Sequence, residues 1–139
     1  MPTSSLDTLA NIVARHDDQP QFLLSLIERW PGLAMLGTAE GNVIAASSLW
    51  GEYTGITANE LRRHGWRRFI HPEDANKTEH EVLRMRADGQ ATLGFKNRYV
   101  AASGQVNHFS WVATPYRGNN DLTLAVADLR RVDPPKASS

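Results

Sequence analysis

The chain has 139 residues, 41% of them hydrophobic, with fifteen Lys plus Arg balancing fifteen Asp plus Glu and no cysteine. One domain of this size buries roughly two-thirds of its unfolded surface without covalent staples, and zero Cys excludes disulfides, Cys-ligated zinc, iron–sulfur clusters, thiol catalysis and any chromophore attached through sulfur. A net charge of zero argues against holding nucleic acid by neutralising phosphates.

Leu6, Leu9, Ala10, Ile12 and Val13 recur at spacings of three and four behind Ser4 and Ser5, which predicts an amphipathic helix to about residue 16. Asp18, Pro20 and Gln21 form a second start signal, so a further helix is expected over about residues 19–29. It carries Phe22, Leu23, Leu24, Leu26, Ile27 and Trp30 and is halted by Pro31-Gly32. Such a wide apolar face serves either as a packing surface or as a dimer seam, and the sequence leaves both open. From Pro31 the helical period gives way to short runs divided by turns. Residues 33–37 and 42–46 read as a hairpin closed at Gly41, where glycine can take positive φ. Thr57-Ala58-Asn59-Glu60 is a capping box that starts a helix to about His64. His71-Pro72-Glu73-Asp74 starts a longer helix that should reach Asp88 and stop at Gly89. On it, Ala75, Thr78, Val82 and Leu83 share one face, and His80 points to a solvated flank.

The last third is strand signal. Residues 92–100 alternate, with Leu93, Phe95, Asn97 and Tyr99 assigned to one face; residues 106–116 place Phe109, Trp111 and Ala113 together; residues 122–129 form a final strand. Two strands, a block of short helices and three meandering strands predict an α+β fold, a five-stranded antiparallel sheet with helices gathered on one face. The longest apolar stretches are far short of the roughly 20 residues of a membrane span, and residues 1–7 lack the pattern of a secretory signal. No membrane span and a cytoplasmic location are therefore the expectation.

Over residues 32–132 the sequence resembles a PAS domain. The resemblance is carried by Glu40-Gly41-Asn42-Val43-Ile44, Trp50-Gly51-Glu52-Tyr53-Thr54-Gly55, Glu60-Leu61, Gly65-Trp66, Phe69-Ile70-His71-Pro72-Glu73-Asp74, Asn97-Arg98-Tyr99, Ser110-Trp111 and Val126-Ala127-Asp128-Leu129, in the family's order and spacing. It is closest to the subgroup with Asn-Arg-Tyr in the third core strand. The chain then divides into an N-terminal helical cap over residues 1–30, a PAS core over 31–132, and a tail or linker start over 133–139. Three departures stand out. Ser47-Ser48 replace the family's Asn after the second strand and are expected to keep its capping role. His108 replaces a Trp, and Asp128-Leu129-Arg130 replaces the closing Asp-Ile-Thr while keeping its Asp.

An amide at Asn97 among apolar neighbours must find partners, since burying it unpaired costs about 1–3 kcal/mol; the resemblance favours a structural bond to loop backbone over a ligand contact. Trp50, Tyr53, Trp66, Phe69, Phe109 and Trp111 are expected chiefly in the core and, with Asn97, are the candidate lining of a ligand pocket. The Arg62, Arg63, Arg67, Arg68 cluster reads as a solvated helical face rather than an anion site. No phosphate cradle or nucleophile motif occurs, so no enzymatic activity and no required cofactor are expected. The resemblance implies a non-catalytic sensory or signal-input module of a bacterial signalling protein. In that role the chain homodimerises through Leu6, Leu9, Ile12, Val13, Leu23, Leu26 and Ile27, relays change through Asp128, and acts on a C-terminal effector or partner. The alternatives are a ligand-free scaffold for homodimerisation and, weaker, a haem-based gas sensor with His80 as the single candidate ligand.

Overall fold

A computed structural model describes residues 20–116 and 119–130. The expected first helix, with Leu6, Leu9, Ile12 and Val13, and the tail over 133–139 lie outside them. Helix α1, Pro20–Glu28, opens on proline, which tolerates the first helical turn. Strands β1, Leu33–Thr38, and β2, Val43–Ala46, form the expected hairpin, with Gly41 at φ 109° in its turn. Two short helices follow, α2, Trp50–Thr54, and α3, Ala58–His64. The Thr57 capping box is present: Thr57 Oγ1 accepts from the Glu60 amide at 3.0 Å, and Glu60 Oε1 accepts from the Thr57 amide at 3.1 Å. The helix expected from Pro72 begins as a 3-10 turn, Pro72–Asp74, capped by His71 Nδ1 accepting from the Glu73 amide, and becomes α4, Ala75–Asp88. It ends as predicted at Gly89, φ 68°, whose amide donates to the Met85 carbonyl.

Strands β3, Thr92–Val100, β4, Val106–Tyr116, and β5, Asn119–Leu129, complete the sheet. The fifth strand starts at Asn119 rather than Leu122, with Asn119 paired to Tyr116. All pairings are antiparallel, in the order β2-β1-β5-β4-β3, which places the last strand in the centre.

The pleat sorts the side chains onto two faces. Phe95, Trp111, Ala127 and Leu33 align across the sheet on the inner face, beside a row of Thr92, Ala113, Ala125 and Met35. These pack with Trp50, Ile56, Leu61, Trp66, Phe69 and Ile70 into the main core beneath the short helices. The outer face carries Ala34, Leu36, Ala45 and Leu124, which bury Leu23 and Ile27 of α1 in a second, smaller cluster. A register shift between Leu93 and Phe95, at Gly94 with φ 78°, puts Leu93 on the face opposite Phe95 and leaves it 81% exposed. This corrects the expectation that the two share a face.

Three further readings are overturned. Ser47 does not cap α2: it is fully buried, donates to the Gly32 carbonyl at 2.6 Å and accepts from the Ala34 amide at 3.0 Å, stitching the end of β2 to the start of β1, while the cap position falls to Leu49 with no side-chain bond. Leu83 and Ala75 of α4 are exposed, and Met85 is buried in their place beside Thr78 and half-buried Val82. Arg67 is not a purely solvated cation, since it bonds Glu79 at 2.8 Å and the Ala39 carbonyl at 2.8 Å and lies over the Trp66 ring.

Candidate functional site

Four aromatic rings fill one half of the inner face. Trp50, Tyr99, Phe109 and Trp111 meet in every pairwise combination at centroid distances of 5.1–6.1 Å, largely tilted or edge-to-face, the arrangement the ring quadrupoles favour. The indole N–H groups of both tryptophans are used within the fold. Trp50 Nε1 donates to the Ala34 carbonyl at 3.1 Å, and Trp111 Nε1 donates to Asn97 Oδ1 at 2.7 Å. Asn97 Nδ2 donates to Thr78 Oγ1 at 3.2 Å, and Thr78 donates to the Asp74 carbonyl at 2.8 Å. Asn97 thus links α4 to β4 through side chains, and not, as the sequence suggested, to loop backbone.

The same end of β3 is clamped by charge. Asp74 is buried; Oδ2 accepts from the Arg98 amide and Nε at 2.8 and 2.9 Å, and Oδ1 accepts from Arg98 Nη2 at 2.8 Å. The Arg98 guanidinium holds the Asp74 carboxyl below its ordinary range, with smaller contributions from Lys77 and the Arg98 amide. Asn107, also buried, donates from Nδ2 to the Thr54 carbonyl at 2.9 Å and fastens β4 to α2.

The other half of the inner face is hollow. Between α4 and the sheet lies a cavity of about 80 Å³, walled by Thr78, Glu81, Val82 and Met85 of the helix, by Thr92, Phe95, Asn97 and Tyr99 of β3, and by Trp66, Trp111 and Met35 among others. Trp66 is held there by Nε1 donating to the Thr38 carbonyl at 3.1 Å, and its amide donates to the Gly41 carbonyl at 2.9 Å. Tyr99 is 3% exposed, and burial pushes its phenol well above the ordinary range.

The sheet thus carries α2 to α4 on one face, with a hollow under α4. The family model described as PAS fold matches residues 43–126, more than half of the chain. The chain belongs to the PAS fold family. Solved PAS structures agree in fold at low identity. The PAS domain of an HTR-like protein from Haloarcula marismortui is 15% identical with a TM-score of 0.62, covering 86% of this chain and 98% of that one. The LOV protein of Rhodobacter sphaeroides is 13% identical with a TM-score of 0.68, over 81% of this chain and 67% of that one. Drosophila melanogaster Cycle PAS-B with bound ethylene glycol is 11% identical with a TM-score of 0.62, over 70% and 99%. No curated protein matches the sequence.

Of the expected pocket residues, the PAS core brings Trp66, Asn97 and Trp111 to the cavity. Trp50, Phe69 and Phe109 are buried in the core but away from the cavity lining, and Tyr53 is 51% exposed on α2. Tyr53 fails because a five-residue helix shows solvent the face opposite Trp50 and Thr54. Sequence reasoning passed over Met35, Thr78, Glu81, Val82, Met85, Thr92, Phe95 and Tyr99 as pocket residues. The period of α4, with Thr78, Val82 and Met85 at steps of four and three, held the signal for its wall. Leu23 and Ile27 are covered by the sheet of their own chain, and Leu26 is half-buried against it. Asp128 is exposed, opposite Ser110 of β4. His80 is exposed on α4, and among the described residues no group of three or more His, Cys, Asp or Glu could hold a metal. No helix among them is long and apolar enough to cross a membrane.

Proposed function

We propose that this PAS domain is a non-catalytic sensory module of a cytoplasmic bacterial signalling protein, and that its input is a small molecule held between α4 and the sheet. The observation that carries this reading is the cavity itself: a half-open, mostly apolar hollow beside a core filled with interlocked rings, walled on one side by a single helix. Native interiors leave few voids larger than a water. Asn97 and Thr78 in its wall are tied into structural bonds, which supports binding rather than catalysis.

A ligand acts as a signal only if it binds two arrangements with different affinity. Here the difference lies in the seat of α4. Its link through Thr78 and Asn97 reaches Trp111, which pairs with Ala127 of the central strand, so a displacement of the helix is passed to β5 and on to whatever follows Asp128. The homodimer seam is assigned to Leu6, Leu9, Ile12 and Val13, since Leu23 and Ile27 are already occupied by the sheet.

Native mass spectrometry of the purified chain tests the ligand: a retained or exchangeable small molecule is expected, and a chain that neither retains nor takes up any overturns the sensory reading in favour of a scaffold. Light scattering tests the dimer; a monomer mass at micromolar concentration rejects it.

A further inference from the structure

The lining of the cavity restricts what it takes, an inference that rests on the reading of that cavity as a ligand site. Glu81 is the one formally charged residue in the lining, and Arg84 already holds its carboxylate with Nε 2.9 Å from Oε1 and Nη2 3.1 Å from Oε2. An ion entering would leave water and meet no uncompensated opposite charge, which is costly. The amide of Asn97 is shared between Thr78 and Trp111, and the Thr78 hydroxyl is given to the Asp74 carbonyl.

Tyr99 differs. Its hydroxyl has no hydrogen-bond partner among the described residues, whereas no fully enclosed side-chain polar atom lacks one. That hydroxyl therefore keeps some accessible surface, and Tyr99, 97% buried, is one of the residues that line the cavity. A donor without a protein partner is open to an acceptor on a ligand. Size sets the remaining limit. The volume of about 80 Å³ is near half that of a cavity of about 150 Å³ known to accept benzene.

We infer that the cavity takes an uncharged organic molecule smaller than benzene, of roughly three to five non-hydrogen atoms, apolar over most of its surface and carrying one carbonyl-type oxygen that accepts the hydrogen bond of Tyr99.

The test uses the full chain labelled at the methionine methyl groups, with Met35 and Met85 as reporters in the cavity wall. Butanone and propionate, matched in size and differing in charge, are titrated into the native chain and into Tyr99→Phe, whose folding is checked by its melting curve. Butanone is expected to shift both methyl signals saturably, propionate to bind at least tenfold more weakly, and Tyr99→Phe to weaken butanone about threefold to tenfold, the worth of one hydrogen bond. Equal affinity for the two probes, or butanone binding unchanged in Tyr99→Phe, overturns the assigned ligand class while leaving the cavity as a binding site. Saturable shifts from neither probe overturn both.

Discussion

The two halves of the inner sheet face are built from the same strands and solve different problems. Where β3 and β4 run toward Tyr99 and Phe109, four rings pack against one another, and the edge of β3 is clamped by Asp74 and closed by the Ile70 bridge to Tyr99. Where they run toward Thr92 and Ala113, the strand carries a bulge at Gly94 and a helix lies over a void. The lesson is one of division of labour: stability is concentrated at one end, which frees the other to stay incompletely packed. Loosely filled regions are where binding and motion are drawn from.

The largest expected effect lies in the packed half. Phe109→Ala removes a fully buried ring that touches three others and should cost about 3–5 kcal/mol in urea unfolding. Phe95→Ala, in the half-buried wall of the cavity, should cost roughly 1–2 kcal/mol, because its surroundings are already open. Equal losses would dissolve the contrast between the halves.

Next comes the clamp. Asp74→Ala leaves Arg98 without its buried acceptor and should cost about 2–3 kcal/mol. Because the folded state holds this carboxyl below its ordinary value of 3.8, its stabilisation is complete above that pH and is lost as the pH falls through the folded value. Stability measured against pH should therefore fall less steeply below 3.8 in Asp74→Asn than in the native chain.

Gly65→Ala sharpens the same comparison from the side of Trp66. Gly65 sits at φ 83°, and an added Cβ would come 2.4 Å from the Gly41 carbonyl oxygen, so about 1–3 kcal/mol is expected, with a shift in tryptophan emission as Trp66 moves against the cavity. The smallest effect belongs to Leu93→Lys, on the exposed bulge, where melting should change by less than about 0.5 kcal/mol equivalent.

Much of this architecture was legible in the residues because it is local. The Thr57 box, the stop at Gly89 and the turn at Gly41 are decided within four or five positions, and the structure has each where the sequence puts it. What escaped depended on distant partners. Ser47 looks like a cap until β1 supplies the Gly32 carbonyl and the Ala34 amide, thirteen and more residues away. Leu93 falls out of its alternation because one glycine inserts a bulge, and alternation alone does not reveal a shift of register. Apart from the exposed Tyr53, the aromatic residues expected in the core lie there, but aromaticity does not separate filling from lining: Trp50 and Phe109 plug the interior, while Trp66 and Trp111 border the void with threonine, valine and methionine of α4.

The placement of β5 between β1 and β4 has a consequence for how the chain comes to be folded. Residues 33–38 pair with 122–127, so within the sheet the hairpins β1–β2 and β3–β4 are hydrogen-bonded together only through the final strand. Closure over so long a loop makes assembly slow relative to a helical domain of equal length. A polypeptide cut before Asn119 would therefore not be a smaller version of the same domain but two unjoined ribbons, each exposing an edge that the missing segment was meant to occupy.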